Sequence, residues 1–151
     1  MRRLLLLILL VTFGGCTSIV LPSYVSDKNP YKKRFYGDYV AVVEAAKKAL
    51  DKFGWSVTEE PDPGIYEHRW EMSDPNVHHI LLFTKYKESY YGLGTKNVVL
   101  NAYIRAGVNE ATEVELRYLK VSTVSYKSFY DYKNDKLIEQ IFKEIEKNLQ
   151  N

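Results

Sequence analysis

Two stretches of this chain carry apolar residues at helical spacing, and between them lie several that alternate with the two-residue period of strands. Tyr39, Val42, Val43, Ala46, Ala49, Leu50 and Phe53 recur at intervals of three and four, which gathers them on one helix face. Asp38 stands where an N-cap is wanted and Gly54 where a left-handed stop is wanted, so a helix is predicted over about 38–53. Glu44, Lys47, Lys48, Asp51 and Lys52 cover its outer face. Near the C-terminus Leu137, Ile138, Ile141, Phe142, Ile145 and Leu149 repeat the pattern, with Ser128 or Asn134 as the cap.

The middle of the chain reads as strands. Trp55 to Glu59 is a short one, and Pro61-Asp62-Pro63-Gly64 is a turn. Ile65 to Met72 alternates, with Tyr66, His68, Trp70 and Met72 on one face. After the turn Ser73-Asp74-Pro75-Asn76 comes a strand over Val77 to Tyr86, and then a loop over Lys87 to Lys96 with Tyr90 and Tyr91 at its tip. Val98, Leu100, Ala102, Ile104, Ala106 and Val108 give the clearest alternation. Val114, Leu116 and Tyr118 share a face, after which the apolar set slips to Leu119 and Val121, as at a bulge or twist. Short turns require antiparallel neighbours, and two one-sided helices need a sheet face to cover. The expected fold is α+β, with one antiparallel sheet of about five strands and an N-terminal and a C-terminal helix on the same face.

The first residues follow a different logic. Met1-Arg2-Arg3 is followed by Leu4 to Val11 without a polar residue, and then by Thr12-Phe13-Gly14-Gly15-Cys16. A charged start, a short apolar core and small residues before a cut describe a secretory signal peptide over 1–15. Eight apolar residues span about 12 Å as a helix, too little for a hydrocarbon core of about 30 Å. Phe13-Gly14-Gly15-Cys16 resembles the lipobox of bacterial lipoproteins, with Phe13 where leucine is commoner. The resemblance implies that Cys16 becomes the lipidated first residue of the mature chain, anchored by two or more acyl chains. It implies a place in the cell envelope. In a Gram-negative host, Thr17 and Ser18 after the cysteine resemble the pattern sorted to the outer membrane, facing the periplasm.

Residues 16–36 show no period and contain Pro22, Ser23, Ser26, Asp27, Asn29 and Pro30, which reads as a flexible tether before a single domain at 37–151. Lys32-Lys33-Arg34 lies between Tyr31 and Phe35-Tyr36. It is either a patch on anionic headgroups or a solvated linker end. The full chain has 151 residues and a net charge of +2. Removing residues 1–15 takes Arg2 and Arg3 away and leaves 19 basic against 19 acidic residues, a balance that argues against nucleic acid as a partner. The single cysteine excludes an intramolecular disulfide and any multi-cysteine metal site.

No catalytic constellation is visible. There is no Gly-x-Ser-x-Gly elbow, and Cys16 is taken by lipid. His78 and His79 are adjacent on a strand and point to opposite faces. His68 with one of them and Glu67 or Glu71 would make only a loose metal site, so neither metal nor cofactor is expected. Glu113 and Glu115 share a strand face, but beside Arg117 they read as an exposed, charge-laced surface. The aromatics say more. Tyr90 and Tyr91, and Tyr126, Phe129, Tyr130 and Tyr132 before the last helix, exceed what so small a domain buries easily. Exposed rings favour binding contacts. Tyr90, Tyr91, Tyr130 and Tyr132 are therefore the candidate partner contacts.

An Asp-capped helix ending in glycine, a strand carrying Trp70 after a Pro-Gly turn and a terminal amphipathic helix together resemble the helix-grip-type domains of small bacterial lipoproteins, BamC-like domains among them. The expectation is a lipid-anchored, non-catalytic envelope protein contacting an envelope protein or the cell-wall polymer. The alternative is a carrier of a lipid or other apolar ligand, held near Trp70, Met72, Leu82, Leu100 and Ile141.

Overall fold

The computed structural model describes residues 21–67, 77–92, 94–107, 111–124 and 127–150. The signal segment, Cys16, His68, Trp70, Glu71, Met72 and Tyr126 lie outside the described residues. The chain forms β1 (Tyr31–Tyr36), α1 (Tyr39–Lys52), β2 (Val57–Glu59), α2 (Pro63–Tyr66), β3 (His79–Thr84), β4 (Lys87–Tyr91), β5 (Gly94–Ala106), β6 (Ala111–Val124), β7 (Lys127–Asp131) and α3 (Asp135–Leu149). It is an α+β fold with one antiparallel sheet. Among the described residues seven strands and three helices replace the expected five and two.

The helices form for local reasons. The Asp38 carboxylate accepts hydrogen bonds from the backbone N–H of Val40 and Ala41, at 3.0 and 3.3 Å, which satisfies donors that the first turn leaves open. At the other end Gly54 takes φ +72°, so that Trp55 N–H returns to Leu50 C=O at 2.8 Å. Asn134 caps α3 through Leu137 N–H at 3.3 Å. Val42, Ala46, Ala49 and Leu50 of α1 and Ile138, Ile141, Phe142 and Ile145 of α3 share one apolar core with Leu82, Val98, Leu100, Ala102, Ile104, Val114, Leu116 and Tyr118.

The sheet is organised by one long hairpin. β5 and β6 have 13 and 14 residues and pair without a break from Gly94↔Val124 to Ala106↔Thr112. Each is flanked by two short strands laid end to end. β3 pairs with Leu81–Phe83 opposite Asn101–Tyr103, and β4 takes over at Val98 to Gly94. On β6, β1 occupies Ala111 to Leu116 and β7 occupies Lys120 to Val124. The sheet thus has a proximal half (β2-β3-β5-β6-β1) under the helices and a distal half (β4-β5-β6-β7) projecting beyond them.

Several sequence expectations change. The tether ends earlier than residue 36, because β1 is a strand of the sheet and the residues before it pack on the sheet too. Val25 is fully buried with Val99, Leu119 and Val121, and Leu21 packs on the same cluster. No bulge accompanies the apolar slip at Leu119 and Val121. These two side chains face the side away from the helices, and the 21–25 segment covers them. Pro63–Tyr66 is a helical turn where a strand over Ile65 to Met72 was expected. Asp62 caps it through Gly64 N–H at 2.9 Å. The expected loop over Lys87 to Lys96 is a β-hairpin, with Gly92 at φ +53° in its turn.

Candidate interaction surface

Strand alternation gives each half of the hairpin two faces. In the proximal half, the face away from the helices carries Asn101, Tyr103, Arg105, Glu113, Glu115 and Arg117. Glu115 and Arg117 are 0% and 2% exposed, which corrects the expectation of a solvated charged surface. The cover is non-local. Tyr24 stacks on Tyr66 with centroids 5.2 Å apart, and Tyr66 meets Phe83 edge-on at 5.2 Å. This aromatic lid closes over the charges.

Beneath the lid the ions are matched. The Arg117 guanidinium bonds Glu67, reaches Glu115 at 3.3 Å and donates to the Tyr24 hydroxyl at 2.7 Å. Tyr24 in turn donates to Glu67 at 3.0 Å. Glu115 also holds Lys32 at 3.1 Å. Burial works against the Arg117 charge, but the Glu67 hydrogen bond and charge outweigh it and raise its pKa. Burial foremost pushes the Tyr24 phenol up as well. Beside this cluster Glu113 takes Arg105 at 3.0 Å and Arg34 at 3.4 Å.

Asn101 fixes the segment that carries Tyr24. Its side-chain oxygen accepts from Val25 N–H at 2.6 Å, and its nitrogen donates to Ser23 C=O at 3.0 Å. One amide thus substitutes for a strand partner on a face where no strand can pair.

The basic triplet is tied into the same architecture. Lys32 and Arg34 point to the ionic face, and Lys33 pairs with Glu146 of α3 at 2.7 Å. Each of the three has a carboxylate partner, while the Lys32 and Arg34 side chains stay 47% and 73% exposed. Tyr31 ties β1 to α3, accepting from Asn134 N–H at 2.9 Å and donating to Asp135. Burial, and then that bond to Asp135, pushes its phenol up to about 12.

Beyond the buried Asn97, Val98 and Val121, the distal half is open on both faces. Tyr90 and Tyr130 are 75% and 61% exposed, and Tyr91, Phe129 and Val124 are exposed with them. The four candidate tyrosines do not form one cluster. Tyr90 and Tyr130 share the face away from the helices but stand on opposite edges, β4 and β7. Three strand spacings of about 4.8 Å separate those edges. Tyr91 lies on the helix-side face, across from Gly94. A Cβ on Gly94 would collide with the Thr123 carbonyl and crowd the Tyr91 ring. Tyr132 follows β7 and sits away from the tip.

The two described histidines do not converge on one site. His78 stacks on Tyr39 at 5.7 Å, and His79 lies in β3 opposite Arg105. Among the described residues no group of three metal-ligating side chains comes together, and no helix is long and apolar enough to cross a membrane. Among the described residues, clefts of about 410 Å³ beside Tyr39 and Gly107 and about 380 Å³ between Tyr31 and Phe142 open at the surface.

Sequence reasoning missed Tyr24, Glu67, Asn101 and Arg117 as a unit. The available signal was the run of polar residues at odd positions, Asn101 to Arg105 on β5 and Glu113 to Arg117 on β6. No protein-family model, curated protein or solved structure matches the chain.

Proposed function

We propose that this chain is a lipid-anchored protein of the cell envelope, held through Cys16, whose domain is a non-catalytic binding or assembly module. In a Gram-negative host it would sit on the outer membrane facing the periplasm. The observation that supports a binding role is the contrast within one hairpin. The proximal half is covered on both sides, whereas the distal half leaves Tyr90, Tyr91, Phe129 and Tyr130 in solvent. Rings on a regular, hydrogen-bonded sheet supply contact area at low entropic cost. Anchoring then raises the effective concentration of this surface against other envelope components without new contacts.

The carrier alternative draws less support. Leu82, Leu100 and Ile141 are fully buried in one continuous cluster with Trp55, Leu50 and Phe142, and neither cleft is lined by them. In-cell crosslinking tests the binding reading, with photoreactive side chains placed at Tyr90, Tyr130 and, as a control, Lys48. Adducts to an envelope component are expected at the two distal positions and not at the control, and Cys16→Ser should diminish them. Equal labelling at all three positions would remove the distal half as a contact surface.

A further inference from the structure

The reach of the N-terminal segment and the chemistry of the distal half together identify what this surface meets. Leu21 is seated on the Val25, Val99, Leu119 and Val121 cluster, at the rows of the hairpin where the distal half begins. Five links separate it from Cys16. Fully extended, they span at most about 18 Å. From the Val99↔Leu119 row to the Gly94↔Val124 row the strands advance five residues, about 17 Å. A chain anchored at Cys16 therefore keeps Leu21 within about 18 Å of the anchoring surface, a reach that spans the distance from Leu21's cluster to the tip of the distal half. Twenty flexible residues would have imposed no such geometry.

The side chains at that end suit such a surface. On the helix-side face of the distal half lie Tyr91, Lys96, Val124, Lys127 and Phe129. The acidic residue on this face, Asp131, is bonded to Lys120 at 2.5 Å, and Lys87 is turned inward to the Phe53 carbonyl at 2.6 Å. Lys96 and Lys127 have no carboxylate partner among the described residues. Glu88 lies on the opposite face. Tyrosine settles at headgroup level because its ring is apolar and its hydroxyl wet, and each lysine near an anionic leaflet strengthens partitioning about fivefold.

We propose that the tip of the β4-β5-β6-β7 sheet is a bilayer-contacting surface. It rests end-on on anionic phospholipid, with Tyr90, Tyr91, Phe129 and Tyr130 among the headgroups and Lys96 and Lys127 on their phosphates. The proposal rests on the reading of Cys16 as the anchor and names the component that the distal half meets. It also moves the headgroup contact from Lys32-Lys33-Arg34, which the fold engages elsewhere, to two lysines that the fold leaves open.

The test couples the chain from Cys16 to Asn151, which contains every described residue, through its sole thiol to maleimide lipid in vesicles. One set is phosphatidylethanolamine with phosphatidylglycerol, the other phosphatidylcholine alone. Amide exchange over 87–92 and 127–131 should slow several-fold on the anionic vesicles relative to the zwitterionic ones, with 31–36 unchanged. Lys96→Glu with Lys127→Glu should abolish the slowing while thermal unfolding stays the same. A second variant, Phe129→Ser, should reduce it. Equal exchange on both vesicle types, protection centred on 31–36, or protection that requires added membrane protein would each overturn the proposal. The mass of Cys16 in protein extracted from host membranes is read separately. An unmodified thiol there would overturn the anchoring reading, whereas the vesicle result, obtained with a chemically supplied anchor, bears on the surface alone.

Discussion

β5 and β6 run the length of the molecule, and their two halves differ less in backbone than in what lies on them. In the proximal half, α1 and α3 cover one face, and the Ser23–Val25 segment with Tyr66 and Glu67 covers the other. In the distal half the same two strands continue in unbroken register with only β4 and β7 beside them. A sheet normally hides at least one face, so a bare end on an otherwise doubly covered sheet is a surface available for contact. The proximal half accordingly stores the stability, and the distal half spends little of it.

The largest effect should come from the ionic cluster. Arg117→Met leaves the Glu115 and Glu67 carboxylates buried without their guanidinium, and removing one partner of a buried ion pair costs about 3–5 kcal/mol. The matched change in the distal half, Lys127→Met, should stay within about 0.5 kcal/mol. Urea unfolding of the two variants measures the contrast. Equal losses would mean that the halves are not energetically distinct.

Next comes the Asn101 clip. Asn101→Ala leaves Val25 N–H and Ser23 C=O without their partners, at a cost of about 2 kcal/mol. The loss should be local. Amides of 21–25 should exchange faster, while those of the β5–β6 pairing keep their protection. Uniform acceleration would show that the segment folds as one unit with the sheet rather than as a cover laid upon it.

These two sites also show where sequence reading succeeds and fails. Both main helices were legible, because Asp38, Gly54 and the three-and-four spacing are local signals that act without the rest of the chain. The helix-side face of β5 and β6 was legible for the same reason, as alternation. The identity of the other face was not. Glu113, Glu115 and Arg117 alternate with apolar residues whether water or Tyr24 lies above them, and only the long-range return of residues 21–25 decides. The slip to Leu119 and Val121 was the visible trace of that cover and was open to misreading as a bulge. β1, β4 and β7 are five or six residues long, too short for a period to declare itself, and each exists because a long strand offers an open edge. The tyrosines were rightly noticed as too many to bury, but their division between two faces and two edges depends on registers that composition does not contain.

In the distal half the Lys120–Asp131 pair holds β7 to β6. Its hydrogen bond from Lys120, and then one from Lys133 N–H, keep the Asp131 carboxyl below its ordinary range. A carboxyl depressed in the folded state stabilises fully above its unfolded pKa, and that contribution is lost as pH falls through the folded value. Acidification should therefore loosen β7 before β1. Because the pair is partly exposed, solvent screening limits the effect to less than about 1 kcal/mol. Lys120→Ala should return Asp131 toward the ordinary carboxylate range and flatten the acid-side dependence of exchange over 127–131. A titration of Asp131 unchanged by that substitution would show that β7 is held by its backbone pairing alone.

The smallest expected effect on stability sharpens the comparison most. Tyr90→Ser with Tyr130→Ser removes two rings that stand in solvent on opposite edges of the distal sheet. With no buried contact to lose, thermal unfolding should shift by no more than about 0.5 kcal/mol. Slowed exchange at the tip on anionic vesicles should nevertheless fall, because contact area there comes from these rings. A stability loss well above 1 kcal/mol would mean that the rings pack against the fold. A stable variant that keeps full protection would assign the contact to Tyr91, Phe129 and the lysines on the helix-side face. The two strands would then carry three surfaces, a closed ionic one, a closed apolar one and a single open face at the tip.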